Sequence, residues 1–196
     1  QLLFLKDKIQ DQLKNVPTGR IKTSKNIILL VGKSGSGKST VAEELSRKCG
    51  QNVLQSYTTR PKRTPDETGH TFVSEEDFNA LRDICAYGEF GGYRYCATKE
   101  QVESSDVYII DPQGVEYFES AYQGTKKPIV VYLSVPPIKR FIRLMKRDGF
   151  KKGFHRWVQD ISHFKGARKV IDEKISNKEN RSCAAEKIWL LLQGEK

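Results

Sequence analysis

The chain has few of the residues that build metal centres and covalent scaffolds: four cysteines, three histidines and one methionine in 196 residues. Cys49, Cys85, Cys96 and Cys183 form no CxxC pair and no zinc-like spacing. They are also too few for a disulfide framework, so the expected compartment is a reducing, cytoplasmic one. No apolar run approaches the ~18 residues of a membrane span. The LLFL run at residues 2–5 is too short for a signal-peptide core, and no basic stretch precedes it. Internal repeats and low-complexity segments are absent. So is the interleaving of basic and aromatic residues that an RNA-reading sheet carries, and no membrane or nucleic-acid partner is expected.

What is present is charge. Lysine and arginine number 34 against 24 acidic residues, a net +10, while apolar residues make up 37% and charged residues 30%. This is the balance of a soluble globular protein, and the length suits one compact domain with small inserted lobes. An excess of positive charge fits nucleic acid, an anionic membrane surface or a small polyanionic ligand.

The apolar pattern orders the chain. Leu2, Leu5, Ile9, Leu13 and Val16 recur at helical spacing, so residues 1–16 read as an amphipathic helix, with 1–22 as helix and linker. Its stripe either packs on its own domain or supports a homodimer. NIILLV at 26–31 reads as a buried parallel strand, followed by a helix from Lys38 to about Lys48. NVLQS at 52–56 is a second strand candidate. VYIID at 107–111, PIVVYLSV at 128–135 and IDEKISN at 171–177 read as further strands. Helices are expected at about 112–122 and 136–147, with a closing helix over CAAEKIWLLLQ. Residues 57–106 differ in texture, with charged loops, a helix opened by Ser74 and tyrosines at 93 and 95. Alternating strands and helices predict an α/β, three-layer fold with a parallel central sheet and an inserted lobe at 57–106.

After the first strand stands GKSGSGKST: Gly32, Lys33, Ser34, Gly35, Ser36, Gly37, Lys38, Ser39 and Thr40. It fits G-x-x-x-x-G-K-[ST] between a strand and a helix, the setting this motif requires. Glycines let the backbone curl so that its N–H groups converge, and the helix N-terminus adds its positive dipole end. Lys38 can reach the outer phosphates of ATP, and Ser39 can help to hold Mg²⁺. Some 20 residues on, SYTTRPKRTPDETGHTFV at 56–73 sets Arg60 and Arg63 three residues apart, two guanidinium forks suited to a second phosphate. A solvated basic turn would carry the same residues. Asp111, ending an apolar strand, can cap the next helix or lie near Mg²⁺.

Taken together, GKSGSGKST, S-x-TTR-x-x-R at 56–63, FVSEEDF, EFGGYRY, IIDPQGV, RLMKR and IDEKISN resemble the guanylate kinase family of nucleoside monophosphate kinases, over about residues 24–193. The resemblance implies a P-loop kinase core at 23–56 and 107–196, an acceptor-binding lobe at 57–106 and a short lid at about 148–156. It implies that Arg60, Arg63 and Tyr95 grip the acceptor phosphate, that Ser56 and Asp111 lie near its base, and that Arg143, Arg147 and Arg156 serve the lid. Departures fall where the base is read. Ala86 stands where the family carries a guanine-reading glutamate, with Glu89 nearby. Cys96 and Ala97 follow Tyr95 where the family has glycine and a hydroxyl residue. His70 replaces a phosphate-gripping tyrosine, and Asp66 takes the place of an acidic residue in the preceding loop. The implied activity is transfer of the γ-phosphoryl group of ATP, with Mg²⁺, to a nucleoside monophosphate, GMP or dGMP. Alternatives are another acceptor nucleotide or small phosphorylated molecule on the same fold, a non-catalytic guanylate kinase-like binding module, and a nucleic-acid-dependent ATPase.

Overall fold

The structure is a computed structural model that describes residues 24–164, 171–178 and 181–194. The helix expected over 1–16 lies outside these residues. In chain order the elements are β1 (Asn26–Val31), α1 (Lys38–Cys49), β2 (Ser56–Thr58), β3 (His70–Phe72), α2 (Glu75–Ala80), β4 (Ile84–Phe90) and β5 (Tyr93–Thr98). Then follow α3 (Lys99–Glu103), β6 (Val107–Ile109), α4 (Pro112–Ala121), β7 (Lys127–Ser134), α5 (Pro137–His163), β8 (Glu173–Ser176) and α6 (Arg181–Gln193).

β6, β1, β7 and β8 form an all-parallel sheet in that order. Residues 27–31 of β1 are fully buried because both faces of the sheet are covered. Successive side chains of a strand point to opposite faces, and β1 divides accordingly. Ile28 and Leu30 join Val41, Leu45, Ile188 and Trp189 from α1 and α6. Ile27, Leu29 and Val31 join Val115 and Phe118 from α4 on the other side. Helix, sheet and helix make three layers.

The strand expected over 52–56 is replaced by one isolated bridge, Val53 to Val107, with Leu54 N donating to Val107 O at 2.8 Å. Side chains take the neighbouring backbone groups. Asn52 N donates to Asp106 Oδ2 at 3.0 Å, and Gln55 O accepts from Gln101 Nε2 at 2.8 Å. From Ser56 the chain instead enters a second sheet of order β3-β2-β5-β4. β4 and β5 are joined through Gly91 and Gly92, both at positive φ (63° and 79°), the pair of conformations a tight hairpin turn demands. Ser74 caps α2 by accepting from Asp77 N, and Thr98 with Gln101 forms a capping box on α3.

The helix expected to stop near 147 runs on to His163. One residue, Gly149 (φ 74°, ψ 167°), leaves helical geometry and divides it into two limbs. A glycine reaches that conformation without Cβ strain, so the chain bends there and resumes.

Under the sheet, Lys126 and Asp106 form a buried ion pair at 3.3 Å. Lys126 also donates to Ser105 O, and Asp106 accepts from the backbone N–H groups of Ser24 and Asn52. The pair thereby joins the chain before β1, the Val53 bridge and the start of β7. Replacing Lys126 by methionine leaves a buried carboxylate without its cation. An equilibrium urea titration should show a loss of about 3 kcal/mol with an unchanged m-value.

Candidate functional site

The glycine-rich loop curls between β1 and α1, with Gly35 and Gly37 at φ 77° and 91°. A Cβ on Gly37 would lie 2.7 Å from Asn177 Nδ2, and one on Gly32 would lie 2.8 Å from Ser36 Oγ and 2.9 Å from Leu133 O. Neither position admits a side chain. Polar groups that the curl turns outward are tied down: Asn177 Nδ2 donates to Ser36 O at 2.9 Å, and Arg143 NH1 donates to Gly35 O at 3.3 Å. Lys38 folds back over the loop and donates to Gly32 O at 2.5 Å. Burial pulls its ammonium down to about 8, opposed chiefly by the charge of Asp160. Ser36 Oγ is buried with no partner among the described residues. Lys33 lies 6.0 Å over the Phe164 ring, while Ser39 is exposed and Thr40 half-buried in the first turn of α1. A glycine-rich curl at a helix N-terminus, with an orphaned hydroxyl and a lysine held in reserve, suits a polyphosphate.

A cavity of about 200 Å³ opens from this loop. Gly32, Ser34 and Lys38 line one end, and Ser56, His70, Tyr95 and Asp111 line the other. Ser56 Oγ and His70 Nδ1 are hydrogen-bonded at 2.9 Å, and His70 meets Tyr95 edge-on at 5.5 Å. Desolvation, with Arg60 and Arg63 nearby, holds the His70 imidazole below its ordinary value. Asp111 caps α4, its Oδ1 accepting from Gly114 N at 2.6 Å.

Tyr95 and Phe90 are shared with a second, wider cavity lined by Arg60, Arg63, Lys151, Lys152 and Arg156. Arg60 is buried and meets Glu67 with both terminal nitrogens, at 3.2 and 2.8 Å; its Nε has no partner among the described residues. The Arg63 backbone N–H donates to the same carboxylate at 2.6 Å. Glu67, not Asp66, is therefore the acid that organises this loop. Arg147 binds Asp148 through Nε and NH2 at 3.0 and 2.8 Å, and Arg156 reaches the same carboxylate at 3.6 Å.

The structure thus gathers the phosphate loop, Lys38, Ser56, His70, Tyr95 and Asp111 around one cavity, and Arg60, Arg63 and Arg156 around its neighbour. Arg143 lies on the loop backbone. Ser39 and Arg147 line neither cavity, and nor does Glu89. Glu89 is exposed on β4 and accepts from the Tyr87 hydroxyl at 2.6 Å. Gly88 meets Asp111, while the Glu89 carboxylate is held at the surface by that hydroxyl. Ala86 and Ala97 are fully buried in the core beside Leu54 and Tyr108.

Several residues of the site escape the sequence reading. Aromatic side chains of Tyr87, Phe90, Tyr108 and Phe164 wall the first cavity. Asp160 also lines it and holds Ser34. Its only local signal is a carboxylate one helical turn beyond Arg156. Asn177 was legible solely as the end of a strand.

Strand, glycine loop and helix in this geometry define a P-loop nucleotide-binding protein. A family model described as an AAA domain matches residues 28–155, more than half of the chain, and the chain belongs to that family. Curated relatives carry the name guanylate kinase. The one from Thermobifida fusca is 38% identical over 84 residues, 40% of this chain and 43% of its own. That from Bartonella henselae is 29% identical over 62% of this chain and 59% of its own, and that from Clostridium tetani 27% over 87% and 86%. The chain thus spans less than two thirds of the first two relatives. The crystal structure of guanylate kinase from Anaplasma phagocytophilum shares the fold, with a TM-score of 0.59 at 20% identity over 88% of this chain and 87% of that one.

The Arg60 hydrogen bonds push the Glu67 carboxyl from its ordinary 4.5 down to about 2. A folded-state value below the unfolded one contributes stability that is present above pH 4.5 and lost as pH falls through about 2. Glu67→Gln should therefore cost about 1–2 kcal/mol at pH 7. In urea titrations repeated at decreasing pH, the gap between variant and parent should close towards pH 2.

Proposed function

We propose that this chain is an ATP-dependent nucleoside monophosphate kinase, transferring the γ-phosphoryl group of ATP to GMP or dGMP to give ADP and GDP or dGDP. One observation carries the reading: the phosphate loop and Lys38 stand at one end of a cavity whose other end meets the arginine-lined groove through Tyr95 and Phe90. Donor phosphates at the loop and an acceptor phosphate at Arg60 and Arg63 then face each other across a shared wall.

The acceptor phosphate is anionic at neutral pH, so its oxygen needs no strong base to attack. The bond from the γ-phosphorus to its bridging oxygen breaks as the new phosphorus–oxygen bond forms, and what the chain supplies is position and charge. Lys38 exchanges Gly32 O for phosphate oxygens. Arg60, Arg63 and Tyr95 fix the acceptor, and Arg143, Arg147 and Arg156 neutralise the charge on the moving group. Ser39 and Asp111 would hold Mg²⁺, and their oxygen donors suit that ion. When bound, Mg²⁺ neutralises charge on the phosphate oxygens of ATP. Residues 57–106 form the acceptor lobe, and residues 148–156 act as the lid. Four free cysteines suit a reducing cytoplasm, and the stripe of residues 1–16 is a candidate for self-association. Among the described residues no helix is long and apolar enough to cross a membrane.

A second reading, the same chemistry on another acceptor, is favoured by the burial of Ala86 and Ala97 and by the outward position of Glu89. Without a carboxylate at the base edge, guanine is not singled out by hydrogen bonds at these positions.

Assay of ADP formation from ATP·Mg²⁺ against GMP, dGMP, AMP, CMP, UMP and dTMP separates the readings. Turnover confined to GMP and dGMP, reduced about 100-fold or more in Lys38→Ala, is the expected result. Turnover on another acceptor replaces the first reading by the second. An absence of both turnover and ATP binding would overturn the kinase reading.

A further inference from the structure

Ser34, third residue of the phosphate loop, has all three of its polar atoms held by one ion pair. Its N–H donates to Asp160 Oδ2 at 2.9 Å, its hydroxyl to Asp160 Oδ1 at 3.0 Å, and its carbonyl accepts from Arg140 Nε at 2.9 Å. Arg140 NH2 closes the ring onto Asp160 Oδ2 at 2.6 Å. Both members are buried, at 7% and 2% exposure. They come from opposite limbs of α5, Arg140 before the break at Gly149 and Asp160 after it. The next loop residue, Gly35, packs so closely on the first limb that a Cβ there would lie 3.0 Å from Arg140 O.

The second limb also faces the arginine-lined groove. Lys151, Lys152, His155 and Arg156 line that groove opposite Arg60 and Arg63, while Asp160, one turn on, lines the cavity of the phosphate loop. Trp157 sits between, its ring 4.8 Å under the Arg140 guanidinium and edge-on to Phe141 at 5.5 Å. One rigid turn of helix therefore touches both ligand regions, and its end is bonded to loop backbone.

The geometry points to Asp160 and Arg140 as a positioning pair that couples the second limb of α5 to the phosphate loop, so that a nucleotide at the loop and the position of the limb are felt by each other. This rests on the reading of the loop as an ATP site. Neither residue need touch ATP: the pair acts through Ser34. A buried ion pair is weak as a source of stability, and an apolar pair of similar volume can replace it at little cost to the fold. What the apolar pair cannot do is hold three polar atoms of a loop.

The test uses the full chain carrying Trp189→Phe, which leaves Trp157 as its single tryptophan. A non-hydrolysable ATP analogue with Mg²⁺ is titrated while heat and tryptophan emission are followed. The parent should bind and change its emission. Arg140→Met/Asp160→Leu should still melt cooperatively, bind about tenfold or more weakly and lose the emission change. Asp160→Asn, which keeps the side-chain shape, should fall in the same direction if the double variant does not fold. Variants that match the parent in affinity and emission response would overturn the coupling and leave the ATP site standing. A parent that binds no analogue would overturn the ATP-site reading, and the coupling with it.

Discussion

A loop that aims its backbone N–H groups at a ligand must have its other polar groups held by something else, and most of this fold can be read as the means of holding them. An open carbonyl or amide on the outer side of the curl would compete for the same turn geometry. Here β8 supplies Asn177 to Ser36 O, and α5 supplies Arg143 to Gly35 O together with the Arg140–Asp160 pair on Ser34. β7 presses Leu133 against Gly32 so closely that nothing larger than glycine fits. The loop between β1 and α1 thus depends on elements more than a hundred residues away in sequence. The parallel sheet matters because it brings the ends of β1, β7 and β8 to the same edge.

Charge is distributed on the same principle. Cations that would repel one another are grouped around single carboxylates: Arg60 and Arg63 around Glu67, and Arg147 and Arg156 around Asp148. Each carboxylate keeps a pair of guanidinium groups together before an anion arrives. Glu67 and Asp148 are held below the ordinary carboxylate range by these arginines. They stay ionised at neutral pH and leave the clusters net positive. The groove consequently concentrates positive charge, and the field of its several cations is strongest where water is excluded. Surplus lysines on exposed helix faces add to the net charge without such a role.

Where the sequence was legible, the information was local. The phosphate loop is written in nine consecutive residues, β1 in a run of apolar ones, and the cap of α2 in Ser74 and the acids behind it. Arg60 and Arg63 share one turn and could be paired by spacing. The misses are all non-local. Arg140 and Asp160 are twenty positions apart, and nothing in either neighbourhood says that a break at Gly149 lets them meet. The strand expected at 52–56 has strand-like composition. Its pairing partners are taken by Asp106 and Gln101, which only the folded chain brings near. Glu89 has the chemistry that the resemblance asks of a base reader, but its carboxylate lies at the surface, bonded to the Tyr87 hydroxyl.

The lining of the cavity limits what it can recognise. Of the polar groups away from the loop, Ser56 and His70 are hydrogen-bonded to each other, and Asp111 spends one oxygen on the Gly114 amide. The remaining walls are largely aromatic, with Tyr87, Phe90, Tyr95 and Tyr108 around them. Aromatic faces accept any flat base by stacking and discriminate poorly among them; hydrogen-bonded edges discriminate well because a wrong partner leaves a buried group unpaired. The cavity therefore carries charge and fixed geometry beside the glycine-rich loop and mostly aromatic surface elsewhere. Of the β4 residues, Tyr87, Gly88 and Phe90 line the cavity, while Ala86 is buried in the core and Glu89 is exposed. A side chain at Gly88 would meet Asp111 at 3.3 Å. β4 thus brings aromatic rings and a close-packed glycine to the cavity, and no carboxylate.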